Sequence, residues 1–130
     1  MKVIGIIPAR MAATRLPNKP MELIEGMPMI GHCYFRSKMS SFLDDVYVAT
    51  CDQVIYDYII SIGGKAVMTF NVHERATERS AEALTNIERE TNQYFDIVVM
   101  IQGDEPLIDP EMINEAIKPK KTKLALVSFS

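Results

Sequence analysis

The sequence predicts an α/β fold with a mainly parallel sheet, and three observations lead to this expectation. Short apolar segments rich in β-branched residues alternate with longer segments of helical periodicity, which is typical of βα units. The segment DIVVMI at residues 96–101 is a continuous apolar run, as expected for a strand that is buried on both faces. The chain of 130 residues is 48% apolar and 24% charged, which fits one domain with a sizeable core.

The first predicted strand covers residues 3–7, and the polar loop after it leads to a brief alternating piece at residues 21–24. Pro28 suits the first turn of a helix, because proline lacks the N–H that would be unpaired there. Helical spacing then extends to about Ser41. The residues of this helix predicted to face the core are Ile30, Cys33, Tyr34 and Ser37.

The second predicted unit is a strand at residues 45–49 and the helix that follows it. Asp52 is placed to cap this helix, since its carboxylate can accept the free N–H groups of a first turn. Gly63 and Gly64 are expected to end it. The apolar stripe predicted to face the core is Val54, Ile55, Tyr58, Ile59 and Ile62.

A short third strand is predicted at residues 65–68, followed by a polar connection at residues 70–76. Thr77 is placed to cap a helix of about residues 78–93, because a threonine hydroxyl can bind an unpaired N–H of the first turn. The residues of this helix predicted to point inward are Ala83, Leu84, Ile87 and Thr91.

The last predicted elements are the strand at residues 96–101, a short helix at residues 109–118 that Pro119 stops, and a fifth strand at residues 124–129. A doubly wound domain normally continues after such a strand. We therefore expect residues 1–130 to be one domain that forms the front part of a larger unit.

A cationic loop follows the first predicted strand, within the segment IIPARMAATRLPNKP at residues 6–20. The first 21 residues hold four basic and no acidic side chains, so the total of −3 leaves −7 for the rest of the chain. Arg10, Arg15 and Lys19 therefore concentrate positive charge where open α/β sheets bind ligands. Fixed cations of this kind suit a triphosphate, and the alternative is a solvated basic loop.

A candidate metal ligand follows the buried strand at residues 96–101, in the segment QGDEP. Asp104 and Glu105 would leave the same edge of the sheet as the cationic loop. Mg²⁺ is usually held by one or two carboxylates together with substrate phosphates, so this segment predicts Mg²⁺ as the cofactor. The alternative is a turn with ordinary acidic residues.

Several classes of protein are disfavoured by the sequence. Neither GxxxxGK[ST] nor GxGxxG follows the first strand, which argues against P-loop hydrolases and dinucleotide-binding dehydrogenases. The acidic total argues against binding nucleic acid. No apolar run could cross a bilayer and no signal peptide is apparent, so we expect a cytoplasmic protein. Cys33 and Cys51 are expected to be reduced thiols, and His73 a polar loop or packing residue.

Four segments in order resemble the 3-deoxy-manno-octulosonate (Kdo) cytidylyltransferases, also called CMP-Kdo synthetases. IPARMAATRLPNKP is similar to the family's IPAR-x-x-S-T-R-L-P-x-K-P, with Ala13 at the serine position and Asn18 where glycine is common. MPMIGHCYFRS, VYVATCDQVIYDYIISIGGKAVMT and IQGDEPLI resemble later segments, with Cys51 in place of the family's first aspartate in VATDD. The resemblance implies a Rossmann-like three-layer α/β/α nucleotidyltransferase fold that is truncated, lacking the family's carboxyl-terminal portion.

The resemblance implies that the anomeric hydroxyl of Kdo attacks the α-phosphorus of CTP, giving CMP-Kdo and pyrophosphate for lipopolysaccharide or capsule synthesis, with Mg²⁺ required. Arg10, Arg15 and Lys19 would be the catalytic residues that hold the triphosphate and stabilise the leaving pyrophosphate. Carried over by position, the other site residues would be Pro8, Ala9, Thr77 and Arg79 for the nucleotide, Gln102 for the sugar and Asp104 for the metal. The family forms homodimers.

This chain departs from the family pattern in two places. The family's H-x-S-G-T-D/E-R loop reads HERATER, so Arg75 and Ala76 replace a serine and a glycine, which is expected to reshape the pocket. The family's later part supplies a second metal-binding aspartate, much of the sugar site and the dimer surface. Two alternatives remain open: a cytidylyltransferase for another acidic sugar, such as an acylneuraminate, and a nucleotide-binding remnant without catalysis.

Overall fold

The computed structural model describes residues 2–11, 19–70, 76–101 and 125–129 of the chain. Its main sheet has five strands, every neighbouring pair of which is parallel. In chain order the strands of this sheet are β1 (Val3–Ala9), β4 (Asp45–Thr50), β5 (Ala66–Met68), β6 (Ile97–Ile101) and β7 (Ala125–Phe129). Their spatial order is β5-β4-β1-β6-β7. The predicted parallel α/β fold is therefore confirmed.

A small hairpin, rather than the single alternating piece predicted at residues 21–24, precedes the first helix. It pairs β2 (Leu23–Ile24) with β3 (Met27–Pro28), antiparallel, and a one-turn 3-10 helix, Lys19–Met21, comes before it. The two turn residues, Glu25 and Gly26, have φ of 52° and 83°, because a two-residue turn between twisted strands favours left-handed backbone.

In the described ranges, three helices connect the strands: α1 (Met29–Lys38), α2 (Gln53–Ser61) and α3 (Ala76–Thr91). Pro28 lies just before α1 as its N-cap residue, not inside its first turn as predicted, and α1 ends at Lys38, before Ser41. Thr77 was predicted to cap a helix of about residues 78–93, but α3 begins at Ala76, so Thr77 lies within its first turn.

The helices form two outer layers around the sheet. On one face α1 and α2 pack against alternate sheet residues such as Ile7, Val48 and Val99, and on the other α3 packs against Ile4 and Ile6. The helix residues that fill these layers are Ile30, Cys33, Tyr34, Ile55 and Ile59 on the first face and Ala83 and Ile87 on the second.

Two sequence expectations about burial meet different outcomes. All five residues of β6 are buried, as the run DIVVMI predicted for a central strand. Val54, in contrast, was predicted to face the core and is 49% exposed. It lies one position before Ile55, which is fully buried, so it points away from the face of α2 that covers the sheet.

Gly64 lies three residues beyond the end of α2, where an added side chain would meet two buried side chains. A Cβ atom at this position would lie 2.8 Å from Cε2 of Tyr34 and 2.9 Å from Cγ2 of Ile59. Both side chains are held in the core, and the hydroxyl of Tyr34 also accepts a hydrogen bond from the backbone N–H of Lys65 at 2.9 Å. Gly64 is therefore needed because no side chain fits there.

We expect Gly64→Ala to lower the free energy of unfolding by about 1–3 kcal/mol, the usual cost of overfilling a packed core. The added methyl group would press on the side chains of Tyr34 and Ile59. Urea denaturation of both proteins measures the effect. An unchanged midpoint with an unchanged slope would show that Tyr34 and Ile59 can move aside.

Candidate functional site

The carboxyl ends of four adjacent strands meet at one edge of the sheet. These strands are β5, β4, β1 and β6, and they end at Met68, Thr50, Ala9 and Ile101. The chain runs from β1 to β4 on one side of β1 and returns to β6 on the other side. This reversal of direction creates the crevice in which open α/β sheets bind their ligands.

The cationic loop begins at this edge. Pro8 and Ala9 are buried at the end of β1, where they pair with Ala49 and Thr50 of β4, and the next residue, Arg10, is half-buried. The backbone N–H of Met11 donates a hydrogen bond of 2.8 Å to Oδ2 of Asp52. Arg10 thus lies between Ala9, the last paired residue of β1, and Met11, whose backbone N–H is bound by Asp52.

The other two cations predicted for the site are described less fully. Lys19 opens the 3-10 helix that follows the loop, and Pro20, the next residue, is buried. Arg15 lies outside the described residues. The structure places Arg10 and the backbone of Lys19, and the joint action of the three cations stays a prediction.

The end of β4 supplies the carboxylate that holds Met11. Asp52 is the N-cap residue of α2, but its side chain makes no capping hydrogen bond, which corrects the role predicted for it. Its Oδ2 instead accepts from Met11 and, at 3.8 Å, from the thiol of Cys51. Its backbone N–H donates to Oγ1 of Thr50 at 3.1 Å.

The end of β5 is held by α3. Arg79 is 3% exposed, and its Nη1 donates to Oγ1 of Thr69 at 2.7 Å and to the carbonyl of Phe70 at 3.4 Å. The backbone N–H of Phe70 donates to the carboxylate of Glu82, at 3.1 and 3.2 Å from its two oxygens. In the structure Arg79 thus fixes the start of the segment between β5 and α3, and the nucleotide-binding role predicted for it stays a prediction.

A second polar contact from α3 reaches the same strand. Nδ2 of Asn86 donates to the carbonyl of Met68 at 3.3 Å and to Oε2 of Glu82 at 3.2 Å. Sequence reasoning missed the roles of Asp52, Glu82 and Asn86. Asp52 did fit a capping pattern, but the partners of all three depend on how distant segments meet in the fold.

The remaining predicted site residues fall largely outside the described part of the chain. Gln102 and Asp104 follow Ile101, the last described residue of β6, and they lie outside the described residues together with His73 and Arg75. Thr77 has a described backbone in α3 but no described side chain. Among the residues that the structure describes, no group of three or more His, Cys, Asp or Glu side chains could hold a metal ion. The predicted Mg²⁺ site at Asp104 accordingly stays a prediction.

The shifted pKa values of Lys65 and Tyr47 belong to a different region. Nζ of Lys65 donates to Oδ1 of Asp45 at 2.7 Å, and this hydrogen bond raises the pKa of Lys65. Burial raises the pKa of the Tyr47 phenol, whose ring centroid is 5.6 Å from Nζ of Lys65. Asp45 opens β4, so this group lies toward the amino edge of the sheet, away from the crevice.

A parallel sheet with helices on both faces and a reversal of strand order beside β1 defines the doubly wound class of α/β proteins. The sequence profile of one family, described as cytidylyltransferase, matches residues 4–125. The chain belongs to the cytidylyltransferase family.

Comparison with individual proteins shows the same relationship. Over 92% of its length this chain is 46% identical to a 3-deoxy-manno-octulosonate cytidylyltransferase of Geotalea uraniireducens, covering 45% of that protein. Over 93% of its length it is 48% identical to the enzyme of the same name from Fusobacterium nucleatum, covering 47% of it. The chain therefore spans about half the length of the curated relatives it matches.

Solved structures agree with the fold. CMP:2-keto-3-deoxy-manno-octonic acid synthetase in complex with CTP superposes with a TM-score of 0.81 at 37% identity, over 92% of this chain and 47% of that one. A cytidylyltransferase from Leptospira borgpetersenii gives a TM-score of 0.69 at 28% identity, over 92% and 49% of the two chains. The nucleotidyltransferase fold expected from the sequence is thus confirmed. No helix in the described part of the chain has the length and apolarity needed to cross a bilayer.

Proposed function

We propose that this protein binds CTP at the carboxyl edge of its sheet and takes part in transferring CMP to a 3-deoxy sugar acid, with Kdo as the favoured acceptor. The observation that carries this proposal is the identity of 46–48% over more than nine-tenths of the chain with relatives named as Kdo cytidylyltransferases. The superposition on a CTP complex supports the nucleotide.

In the proposed reaction the anomeric oxygen of the sugar acid forms a bond to the α-phosphorus of CTP. The bond from this phosphorus to the bridging oxygen breaks, pyrophosphate leaves, and the hydroxyl proton is lost. Negative charge grows on the leaving group as the reaction proceeds. Fixed cations therefore stabilise the transition state more than they stabilise the bound substrate. Arg10, Arg15 and Lys19 are proposed to be these cations.

The remaining roles are also assigned by position. Pro8 and Ala9 at the end of β1, with Thr77 and Arg79 of α3, are proposed to contact the nucleotide, and Gln102 the sugar acid. Asp104 is proposed to ligate Mg²⁺, which when bound would neutralise charge on the phosphates. An enzyme that uses CTP in this way would act in the cytoplasm, and a homodimer, as in the family, is also proposed.

Pyrophosphate release with CTP, Mg²⁺ and a panel of sugar acids tests this function. The panel contains Kdo and N-acetylneuraminate, and a reaction without sugar acid is the control. We expect pyrophosphate release only in the reaction that contains Kdo as the sugar acid. Release with N-acetylneuraminate instead would move the function to another acidic sugar.

Calorimetric titration with CTP separates the remaining outcomes. CTP binding without pyrophosphate release from any acceptor would favour a nucleotide-binding protein without catalysis. Neither binding nor release would contradict the proposed ligand as well as the proposed reaction.

A further inference from the structure

The carboxylate of Asp52 extends the pairing of β1 with β4 beyond the last backbone pair. Register between these strands ends at Ala9 and Thr50. Two residues after Ala9, the N–H of Met11 donates to Oδ2 of Asp52 at 2.8 Å, across a separation of 41 residues in sequence. The side chain of Asp52, two residues after the end of β4, thus accepts a hydrogen bond that a backbone carbonyl would accept if β4 continued.

Asp52 is itself held firmly enough to serve as an anchor. Its backbone N–H donates to the hydroxyl of Thr50, a residue with no exposed surface, and its carbonyl accepts from Tyr56 in the first turn of α2. Two residues of α2, Ile55 and Ile59, are fully buried against the sheet. The backbone that carries the carboxylate is therefore held between β4 and the buried face of α2.

The residue that Asp52 holds is the one next to Arg10. The side chain of Met11 is partly buried against the same core cluster that contains Ile7 and Val48. With its side chain packed and its N–H bound, Met11 has a defined orientation, and this determines the direction in which Arg10 leaves β1. A cation held in one place loses less conformational freedom when it binds a phosphate.

We propose that Asp52 is a positioning residue for Arg10, acting through the backbone of Met11. This inference rests on the proposed CTP-binding function. A carboxylate beside a cationic loop would by its charge alone weaken the binding of an anion. The positioning role and the charge therefore have opposite effects on CTP affinity, and this separates them experimentally.

Three variants of the full chain make the test. Asp52→Ala removes the acceptor, and Asp52→Asn removes the charge but keeps an oxygen that can accept from Met11. Asp57→Ala is the matched control, because Asp57 is an exposed carboxylate of α2 that accepts a hydrogen bond of 2.7 Å from Nε2 of Gln53. Should Asp52→Ala fail to fold, Asp52→Ser replaces it, since serine can cap α2 but is too short to reach Met11.

Calorimetry with CTP and Mg²⁺ gives the first readout. We expect Asp52→Ala to weaken CTP binding about 10-fold, as for the loss of one charge-assisted hydrogen bond. Asp52→Asn and Asp57→Ala should bind CTP at least as tightly as the unmodified protein. Equal weakening by Asp52→Ala and Asp52→Asn would overturn the proposal, because an oxygen that can still accept from Met11 would then not preserve the affinity.

Hydrogen exchange at the Met11 amide gives a second readout that needs no ligand. In Asp52→Ala this amide should exchange about 10-fold faster or more, while the amide of Ile7 in β1 stays protected, and Asp52→Asn should restore the protection. Unchanged exchange at Met11 would overturn the positioning role. If the unmodified protein binds no CTP, the proposed function fails, and the exchange result still decides whether Asp52 holds Met11.

Discussion

Replacing Arg10 by alanine is expected to weaken CTP binding about 10- to 100-fold, because a hydrogen bond from a charged donor contributes about 1.5–3 kcal/mol. Arg10 is the cation that the structure places directly at the carboxyl end of β1. Its half-buried position beside Pro8 and Ala9 shields it from solvent on one side, so salt screens it less than a fully exposed arginine. Calorimetry at low ionic strength measures the effect.

Arg36→Ala is the matched control for this prediction. Arg36 is also a half-buried arginine, so the charge removed and the exposure are similar. It lies in the last turn of α1, and this helix returns from the carboxyl edge to the amino edge of the sheet. CTP affinity should be unchanged in Arg36→Ala. Equal losses in both variants would mean that net charge, rather than a site at the end of β1, attracts the nucleotide.

Replacing Arg79 by methionine is expected to lower the free energy of unfolding by about 2 kcal/mol, because hydrogen bonds from a buried charged group are lost while the volume is largely kept. The hydroxyl of Thr69 and the carbonyl of Phe70 would each lose a donor. Thr69 is itself buried, so water cannot easily replace that donor. Urea denaturation measures the loss.

Two further variants define what Arg79 does. Arg89→Met makes the same exchange on the exposed side of α3 and should change the free energy of unfolding by less than about 0.5 kcal/mol. Arg79→Lys should recover only part of the loss, since an ammonium group cannot reproduce the planar guanidinium donors. If Arg79→Met and Arg89→Met are equally stable, the buried contacts to Thr69 and Phe70 contribute little.

Much of the fold could be predicted because its signals are local. The strands at residues 3–7, 45–49 and 96–101 are apolar runs whose burial depends mainly on their own composition, and the structure confirms all three with small changes at their ends. The buried stripe of α1 follows the helical spacing in the same way. Where one face of a strand or helix is uniformly apolar, the sequence pattern is enough to predict its burial.

The departures have a different physical origin. Asp52 matched a helix cap, but its carboxylate binds Met11, 41 residues away in sequence, and no local pattern shows that competition. Val54 is apolar yet exposed, because the sheet covers only one face of α2 and Ile55 and Ile59 already fill it. The helix start predicted from Thr77 was two residues too late, because Thr77 matched the pattern of a cap but lies in the first turn of α3.

The candidate site could be predicted only in part, because only some of its signals are local in the sequence. A local excess of charge identified Arg10, and the end of β1 is where the structure places it. Gln102 and Asp104 lie outside the described residues, so the second half of the proposed site stays a prediction. The contacts that shape the described half, from Asp52 and Glu82, come from side chains whose partners are set by tertiary structure.

The contacts of Glu82 and Asn86 with β5 have a consequence for self-association. Alternate residues of β5 direct their backbone groups toward β4, as the N–H of Thr69 does toward Thr50, so the carbonyl of Met68 and the N–H of Phe70 face outward. These outward groups are the ones that α3 occupies through the two side chains. An open strand edge is a template on which another chain can add a strand and begin to aggregate. At the end of β5 these two outward groups are already bound by side chains of α3, so they are not available to a strand of another chain.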